Sequence, residues 1–287
     1  MRLLDLLRKS TQYLEAAGIE DALPDAEMLV FDAVKMDRLD AYVNNPEVKS
    51  TDSAKVRRLL QRRAKGEPVQ YIIGHIEFLG LTINVGKGVL IPRPETELLA
   101  EEAIRAVGSQ EAAVNNKTTN LFSCLDICTG SGCIALALAK AFPGAAIYGT
   151  DLSKEALSFA KKNAKANDLE NAMFLLGSLF EPVKGMTFDL ITANPPYIRR
   201  DEIETLQPEI RDWEPVAALD GGQDGMDFCR AILSSAGDYL APGGRAFLEL
   251  GYDQAEDVKK IAKRQGFNDV AVINDYAGIG RILTVRR

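Results

Sequence analysis

The feature that most constrains this chain is the alternation of strand and helix signals across residues 121–287. Apolar runs rich in β-branched and aromatic residues (LFSCLDI, AIYGTDL, AMFLLGS, FDLITA, GRAFLELG) are interleaved with stretches of helical periodicity (CIALALAKAF, SKEALSFAKKNAKAN, FCRAILSSAGDYL, DQAEDVKKIAKRQG). Strands that are apolar on both faces belong in a parallel sheet covered by helices. Two closing runs, DVAVIND and RILTVRR, are joined by a short turn at AGIG and read as an antiparallel edge. The expected architecture is therefore α/β, with a mostly parallel seven-stranded sheet.

Residues 1–75 follow a different rule. Apolar residues recur at helical spacing in LLDLLRKSTQYLEAAG, DAEMLVFDAV and VRRLLQRRA, punctuated by Gly18, Pro24, Pro46 and Gly66. A small all-helical domain is expected there. From Val69 the run YIIGHIEFLGLTINVGKGVLIP, split by Gly74, Gly80 and Gly86, reads as a β-hairpin. The boundaries expected are 1–75 for the helical domain, 76–92 for a hairpin linker and 93–287 for the α/β domain. A chain of 287 residues has room for one large and one small domain, and no internal repeat is apparent.

No run approaches the ~18 apolar residues of a membrane span. The N-terminal MRLLDLLRKSTQYLEAAG mixes Leu3, Leu4, Leu6 and Leu7 with Asp5, Arg8 and Lys9, which is an amphipathic helix rather than a signal peptide. A cytoplasmic address without membrane partners is expected. Cys124, Cys128 and Cys133 cluster, but Cys229 is distant and His75 is the sole histidine. No metal is assigned, and the cysteines read as small buried residues.

The net charge of −7 argues against a generic nucleic-acid binder. Acidic and basic residues balance within residues 1–75, so the acidic excess lies in the remainder. The run Lys55, Arg57, Arg58, Arg62, Arg63 and Lys65 is either a solvated helix face or a docking surface for an acidic or RNA-associated partner.

The strand ends carry the chemistry. LDICTGSGCIAL runs from Asp126 through Thr129-Gly130-Ser131-Gly132 into a helix, a turn whose glycines let backbone approach a ligand at a helix N-terminus. The next strand ends at Asp151, about 20 residues on, where a carboxylate can accept both hydroxyls of a ribose. Asp151 could also cap the helix that begins near Ser153. The third strand end offers Ser178, Leu179 and Phe180 to flank an adenine ring. The fourth is Asn194-Pro195-Pro196-Tyr197. Its prolines remove two N–H donors and stiffen the turn, leaving carbonyls and the Asn194 amide oxygen as acceptors. A planar NH2 group offers two donors that such acceptors match, with Tyr197 able to cover its face. No general base is assigned.

This tetrapeptide resembles the Asn/Asp-Pro-Pro-Tyr/Phe motif of methyltransferases acting on exocyclic or amide nitrogen. The chain as a whole resembles the HemK/PrmC family of peptide chain release factor N5-glutamine methyltransferases. The likeness rests on the helical N-terminal domain, the hairpin, LIPRPETE at 90–97, LDICTGSG at 125–132, GTDLS at 149–153, FDLITANPPYI at 188–198 and the tail PGGRAFLELGYDQAEDV.

The resemblance implies a Rossmann-like class I methyltransferase domain and a helical domain that docks the substrate. It implies S-adenosyl-L-methionine as methyl donor, S-adenosyl-L-homocysteine as product, and release factors as protein partners, with no specific nucleic acid. The methyl acceptor would be the side-chain amide nitrogen of the glutamine in a Gly-Gly-Gln motif. By the same resemblance Cys128, Thr129, Gly130, Ser131, Gly132 and Asp151 hold the cofactor, with Leu179 beside the adenine. Asn194, Pro195, Pro196 and Tyr197 hold the acceptor, Asn194 and Pro195 being catalytic and Asn194 also touching the cofactor. Arg93 is a candidate partner for the cofactor carboxylate, with a structural ion pair as the other reading. Cys128 stands where the family often has glycine, and Ser178 where an acid is frequent. The chain's own Gly221-Gly222-Gln223 lies where the family commonly has a Gly-Gly-x-Asp-Gly loop, and its likeness to the substrate motif reads as coincidence. The rival functions are a nucleic-acid N-methyltransferase acting on adenine N6 or guanine N2, and a scaffold that retains the nucleotide fold.

Overall fold

The computed structural model describes residues 1–111 and 122–287. Leu121, the first residue of the expected strand LFSCLDI, lies outside the described residues. Contacts divide the chain into two compact units, residues 1–75 with 207–213, and residues 76–206 with 214–287. The segment 207–213, placed by the sequence reading in the α/β domain, thus belongs to the helical unit.

The first unit holds α1 (Leu3–Ala16), α2 (Ala22–Val34), α3 (Arg38–Asn44), α4 (Ser50–Arg63) and α5 (Val69–Ile73). Leu3, Leu6, Leu7 and Leu14 form the buried stripe of α1. They share a core with Leu29 and Val30 of α2, Val56 and Leu60 of α4, and Val69 and Ile72 of α5. That last pair corrects the expected hairpin start. The run YII is aromatic and β-branched, but Val69 and Ile72 sit three apart and complete a helical core, and α5 stops at Gly74 with φ 92°.

The basic run also divides. Arg63 is 5% exposed and ion-paired to both Asp25 of α2 and Glu209 of the 207–213 segment. Burial raises the Asp25 pKa against the lowering effect of Arg63. Lys55 meets Asp32 at 3.4 Å and Arg62 meets Glu67 at 2.7 Å, whereas Arg57 and Arg58 are exposed.

The second unit begins with the hairpin strands β1 (His75–Phe78, its first residue counted with the helical unit) and β2 (Leu81–Asn84), followed by α6 (Pro94–Glu111). The hairpin is fastened to a helix of the α/β core. Asn163 accepts from Asn84 N at 2.8 Å and Asn167 accepts from Thr82 N at 3.1 Å. The main sheet is built from β3 (Ser123–Ile127), β4 (Ala146–Asp151), β5 (Ala172–Leu176), β6 (Phe188–Ala193), β7 (Leu240–Glu249), β8 (Asp269–Asn274) and β9 (Gly280–Arg286). Its order is β5-β4-β3-β6-β7-β9-β8. The first five strands are parallel, β9 is antiparallel to β7, and β8 is antiparallel to β9.

Helices α7 (Cys133–Ala141) and α8 (Lys154–Ala166) pack on β3, β4 and β5, and α6 packs on α7, β6 and β7. On the other face Leu125, Ile127, Ile191 and Leu248 pack against Cys229, Ile232 and Leu233 of α10 (Asp227–Tyr239) and Val258 of α11 (Ala255–Arg264). The short α9 (Pro208–Arg211) belongs to the 207–213 segment. Strand order reverses between β3 and β6, so a crevice opens at their carboxyl ends, where ligands bind in sheets of this kind.

The buried charge cluster gives a test of the first unit. Arg63→Ala leaves Asp25 buried without its cation and is expected to cost about 3–5 kcal/mol. Trp213, the sole tryptophan, lies in the same unit, so urea unfolding followed by its fluorescence should show the midpoint fall.

Candidate active site

The cleft is built from the ends of four parallel strands, β3, β4, β5 and β6, and the loops that follow them. After β3 the chain turns through Cys128 (φ 57°), Gly130 (φ 54°) and Gly132 (φ 81°) before entering α7. Gly132 is required by packing as well as by its φ, since a Cβ there would meet Ala160 Cβ at 3.0 Å and Phe174 Cζ at 3.1 Å. Cys128 holds a left-handed conformation without being glycine, and so does Leu179 (φ 45°), whose carbonyl accepts from Thr150 Oγ1 at 2.8 Å. Both line the cleft. Non-glycine residues held in this region carry strain of order 1–3 kcal/mol that surrounding structure must sustain.

Asp151 closes β4 and lines the same cleft. Its Oδ2 accepts from Gly130 N at 2.9 Å and its Oδ1 from Ser153 N at 2.8 Å. Burial raises its pKa, against the lowering effect of those backbone donors. The cap of α8 is Ser153, whose hydroxyl accepts from Ala156 N at 3.1 Å. Asp151 therefore ties two loops together and keeps carboxylate lone pairs for a ligand. Nearby, Ser131 Oγ is buried without a hydrogen-bond partner among the described residues.

Of the residues expected from sequence, Cys128, Thr129, Gly130, Ser131, Asp151, Leu179, Asn194 and Pro196 line this one cleft. Gly132, Pro195 and Tyr197 are not among its lining residues but directly adjoin residues that are. One expectation changes, and one left open is narrowed. Phe180 turns into the core, stacked on Tyr239 at 4.4 Å between ring centroids, and does not flank the cleft. Arg93 forms an ion pair with Glu214, the second of its two readings; Glu214 is 4% exposed and also accepts from Ile91 N at 3.1 Å. That pairing anchors the loop on which Pro215, Ala217 and Ala218 form a further wall. Sequence reasoning passed over this wall and over Val89, Leu90 and Pro92, which also line the cleft, because small apolar loop residues carry no motif.

The Asn194-Pro195-Pro196-Tyr197 loop is held by groups the sequence reading did not assign. Asn194 Nδ2 donates to Thr96 Oγ1 at 2.9 Å, and Thr96 Oγ1 donates to Glu249 Oε2 at 2.8 Å. Tyr197 donates its hydroxyl to Glu249 Oε1 at 3.2 Å. Glu249 ends β7 and is 1% exposed, and burial pushes its pKa up to about 7. Gln254 Nε2 donates to the Tyr197 carbonyl at 2.8 Å and to that of Gly225 at 3.1 Å. Close approach accounts for Gly221 and Gly225, because a Cβ at either would fall within 2.8 Å of the Tyr197 backbone. Gln223 beside them is exposed.

A second buried carboxylate, Asp126, accepts from Thr129 at 2.6 Å and from Thr192 at 2.9 Å, and burial raises its pKa to about 7. Among the described residues no group of three or more His, Cys, Asp or Glu is placed to hold a metal ion, and no helix is long and apolar enough to cross a membrane.

Comparison with known proteins follows both units. A family model for the PrmC N-terminal domain matches residues 5–74, and one for the methyltransferase small domain matches residues 108–209. A release factor glutamine methyltransferase of Geobacter sulfurreducens is 46% identical over 276 residues, covering 94% of this chain and 92% of that one. Another, of Thermodesulfovibrio yellowstonii, is 43% identical over 263 residues, covering 92% of each. Among solved structures, a methyltransferase from Pyrococcus furiosus shares the fold with a TM-score of 0.53 at 21% identity, covering 82% of this chain and 98% of that one. A sequence relationship this close over nearly the full length, with both family models matched, places this chain in the release factor glutamine methyltransferase family.

Proposed function

We propose that this protein transfers a methyl group from S-adenosyl-L-methionine to the side-chain amide nitrogen of the glutamine in the Gly-Gly-Gln motif of peptide chain release factors. The observation that carries the reading is the fixed orientation of Asn194. Its Nδ2 is committed to Thr96, so Oδ1 is the atom it offers to the cleft. An amide oxygen there accepts from an NH2 group and would repel the oxygen of a carboxylate.

The residues present fit an adenosine-bearing sulfonium cofactor. Asp151 has lone pairs for two ribose hydroxyls, Ser131 Oγ lacks a partner, and Leu179 supplies an apolar edge for a flat base. The cofactor, when bound, supplies an activated methyl group and its own leaving group, so the protein must bind, orient and exclude water. An amide nitrogen is a weak nucleophile because its lone pair is delocalised. Two acceptors on its hydrogens, Asn194 Oδ1 and the Pro195 carbonyl, hold the nitrogen in line. The same acceptors stabilise the positive charge that builds on it as the new N–C bond forms. The helical unit is assigned the docking of the release factor, with the exposed Arg57 and Arg58 of α4 as its contact cations.

Three measurements test this assignment. Asp151→Ala is expected to weaken cofactor binding by about 2–4 kcal/mol, the loss of charge-assisted bonds to two hydroxyls; calorimetry finding wild-type affinity would remove Asp151 from the site. Charge reversal of both Arg57 and Arg58 to Glu should raise the KM for a whole release factor and leave that for a Gly-Gly-Gln peptide unchanged. Asn194→Ala should slow single-turnover methyl transfer by about 10²-fold or more while cofactor affinity falls little. Transfer at the wild-type rate would overturn the mechanism.

A further inference from the structure

We infer that Glu249 is a positioning residue that sets, through the hydroxyl of Thr96, which atom of the Asn194 amide faces the acceptor. This rests on the methyl-transfer reading above and adds to it the element that decides between amide and carboxylate at the acceptor site.

The argument begins with hydrogen-bond inventory. A threonine hydroxyl has one proton to give. Thr96 is 1% exposed, and its Oγ1 lies 2.8 Å from Glu249 Oε2 and 2.9 Å from Asn194 Nδ2. An ionised Glu249 can only accept, so it takes the Thr96 proton. Thr96 must then accept from Asn194, which turns Nδ2 inward and leaves Oδ1 on the cleft side. Protonating Glu249 removes this direction. The carboxylic acid can donate to Thr96, the hydroxyl can donate to Asn194 Oδ1, and the amide is free to reverse. A reversed Asn194 presents N–H to the N–H of the acceptor amide, donor against donor.

The geometry has the features of a device rather than of incidental packing. Hydroxyls from two separate segments, Thr96 on α6 and Tyr197 on the loop after β6, converge on the two oxygens of one buried carboxylate. Strands β6 and β7 are paired as far as Ala193 and Leu248, which puts Glu249 level with Asn194 at the sheet edge. The charged groups facing Glu249 are Glu95 of α6, which raises its pKa, and Arg281 of β9, which lowers it; the neutral Cys133 thiol of α7 also faces it. Burial outweighs the lowering effects of the Thr96 and Tyr197 hydroxyls and of Arg281, and puts the transition near pH 7. Asp126 titrates in the same range but is held by Thr129 and Thr192 instead, so its transition should persist when Glu249 is replaced.

The experiment has two arms. In the first, the protein is labelled with 15N-asparagine, and the Asn194 side-chain signals are identified by their loss in Asn194→Ala. They should shift with pH with a midpoint near 7 in the wild type and in Thr96→Ser. They should lose that transition in Glu249→Gln and Thr96→Val. In the second, single-turnover transfer to a release factor at saturating S-adenosyl-L-methionine should show an acidic limb at the same midpoint. Thr96→Val should lower the rate about tenfold with cofactor affinity held, and Thr96→Ser should restore it. Glu249→Gln removes a buried charge, so its Tm at pH 8 should be no lower than that of the wild type. Asn194 signals that do not titrate, or that titrate equally in Glu249→Gln, overturn the inference. A wild-type protein whose Asn194 titrates through Glu249 but that transfers no methyl supports the relay and counts against the assigned function.

Discussion

Parallel pairing of β3 with β6 at the point where strand order reverses is the constraint on which this site depends. It sets Asp126 beside Thr192, residues 66 apart in sequence, with 2.9 Å between the bonded oxygens. A carboxylate with no exposure must find donors or stay protonated. Asp126 finds Thr192 on the neighbouring strand and Thr129 on its own loop, and so locks the turn after β3 to the strand that leads into Asn194. Glu249 repeats the arrangement one strand further along and locks that loop to α6. Cleft geometry is thus held from beneath by two buried carboxylates, and the residues above them are free to meet ligands.

The charges that do not reach the cleft are equally informative. Arg93 is spent on Glu214, and that ion pair with the Ile91 amide fixes the course of the chain into the apolar wall at Pro215 and Ala217. Arg63 is likewise spent within the helical unit, on Asp25 and Glu209. A motif arginine in a family-specific stretch invites a role at a ligand, yet a long flexible side chain goes wherever a buried acid needs a partner. The Gly-Gly-Gln sequence in this chain has a similar explanation. Its loop must pass against the backbone of Tyr197 and the side chain of Asp227, where no Cβ fits.

Much of the fold was legible because it follows from local rules. Apolar runs of strand length alternating with helical periodicity imply a covered parallel sheet, and glycines, an acid and paired prolines at strand ends imply where ligands go. Failures occurred where tertiary context outweighed local preference. Val69-Gln70-Tyr71-Ile72-Ile73 has strand composition but forms α5, because Val69 and Ile72 complete a helical core. Phe180 has the look of an adenine flank but stacks on Tyr239, two aromatic faces buried together. Residues 207–213 carry no signal that would detach them from the α/β domain, yet Glu209 belongs to the buried cluster around Arg63.

Sequence alone determined the fold class, the order of the strand-end motifs and the residue types that stand at those ends, since these depend on spacing and residue type. The direction in which Asn194 points was decided by tertiary structure. Thr96, Asn194 and Glu249 are spread over more than half the chain, and each by itself is an ordinary residue at the end of an element. Their meaning arises when the sheet register brings one hydroxyl proton between a buried carboxylate and an amide, because a single proton can satisfy one acceptor and so dictates the orientation of everything beyond it.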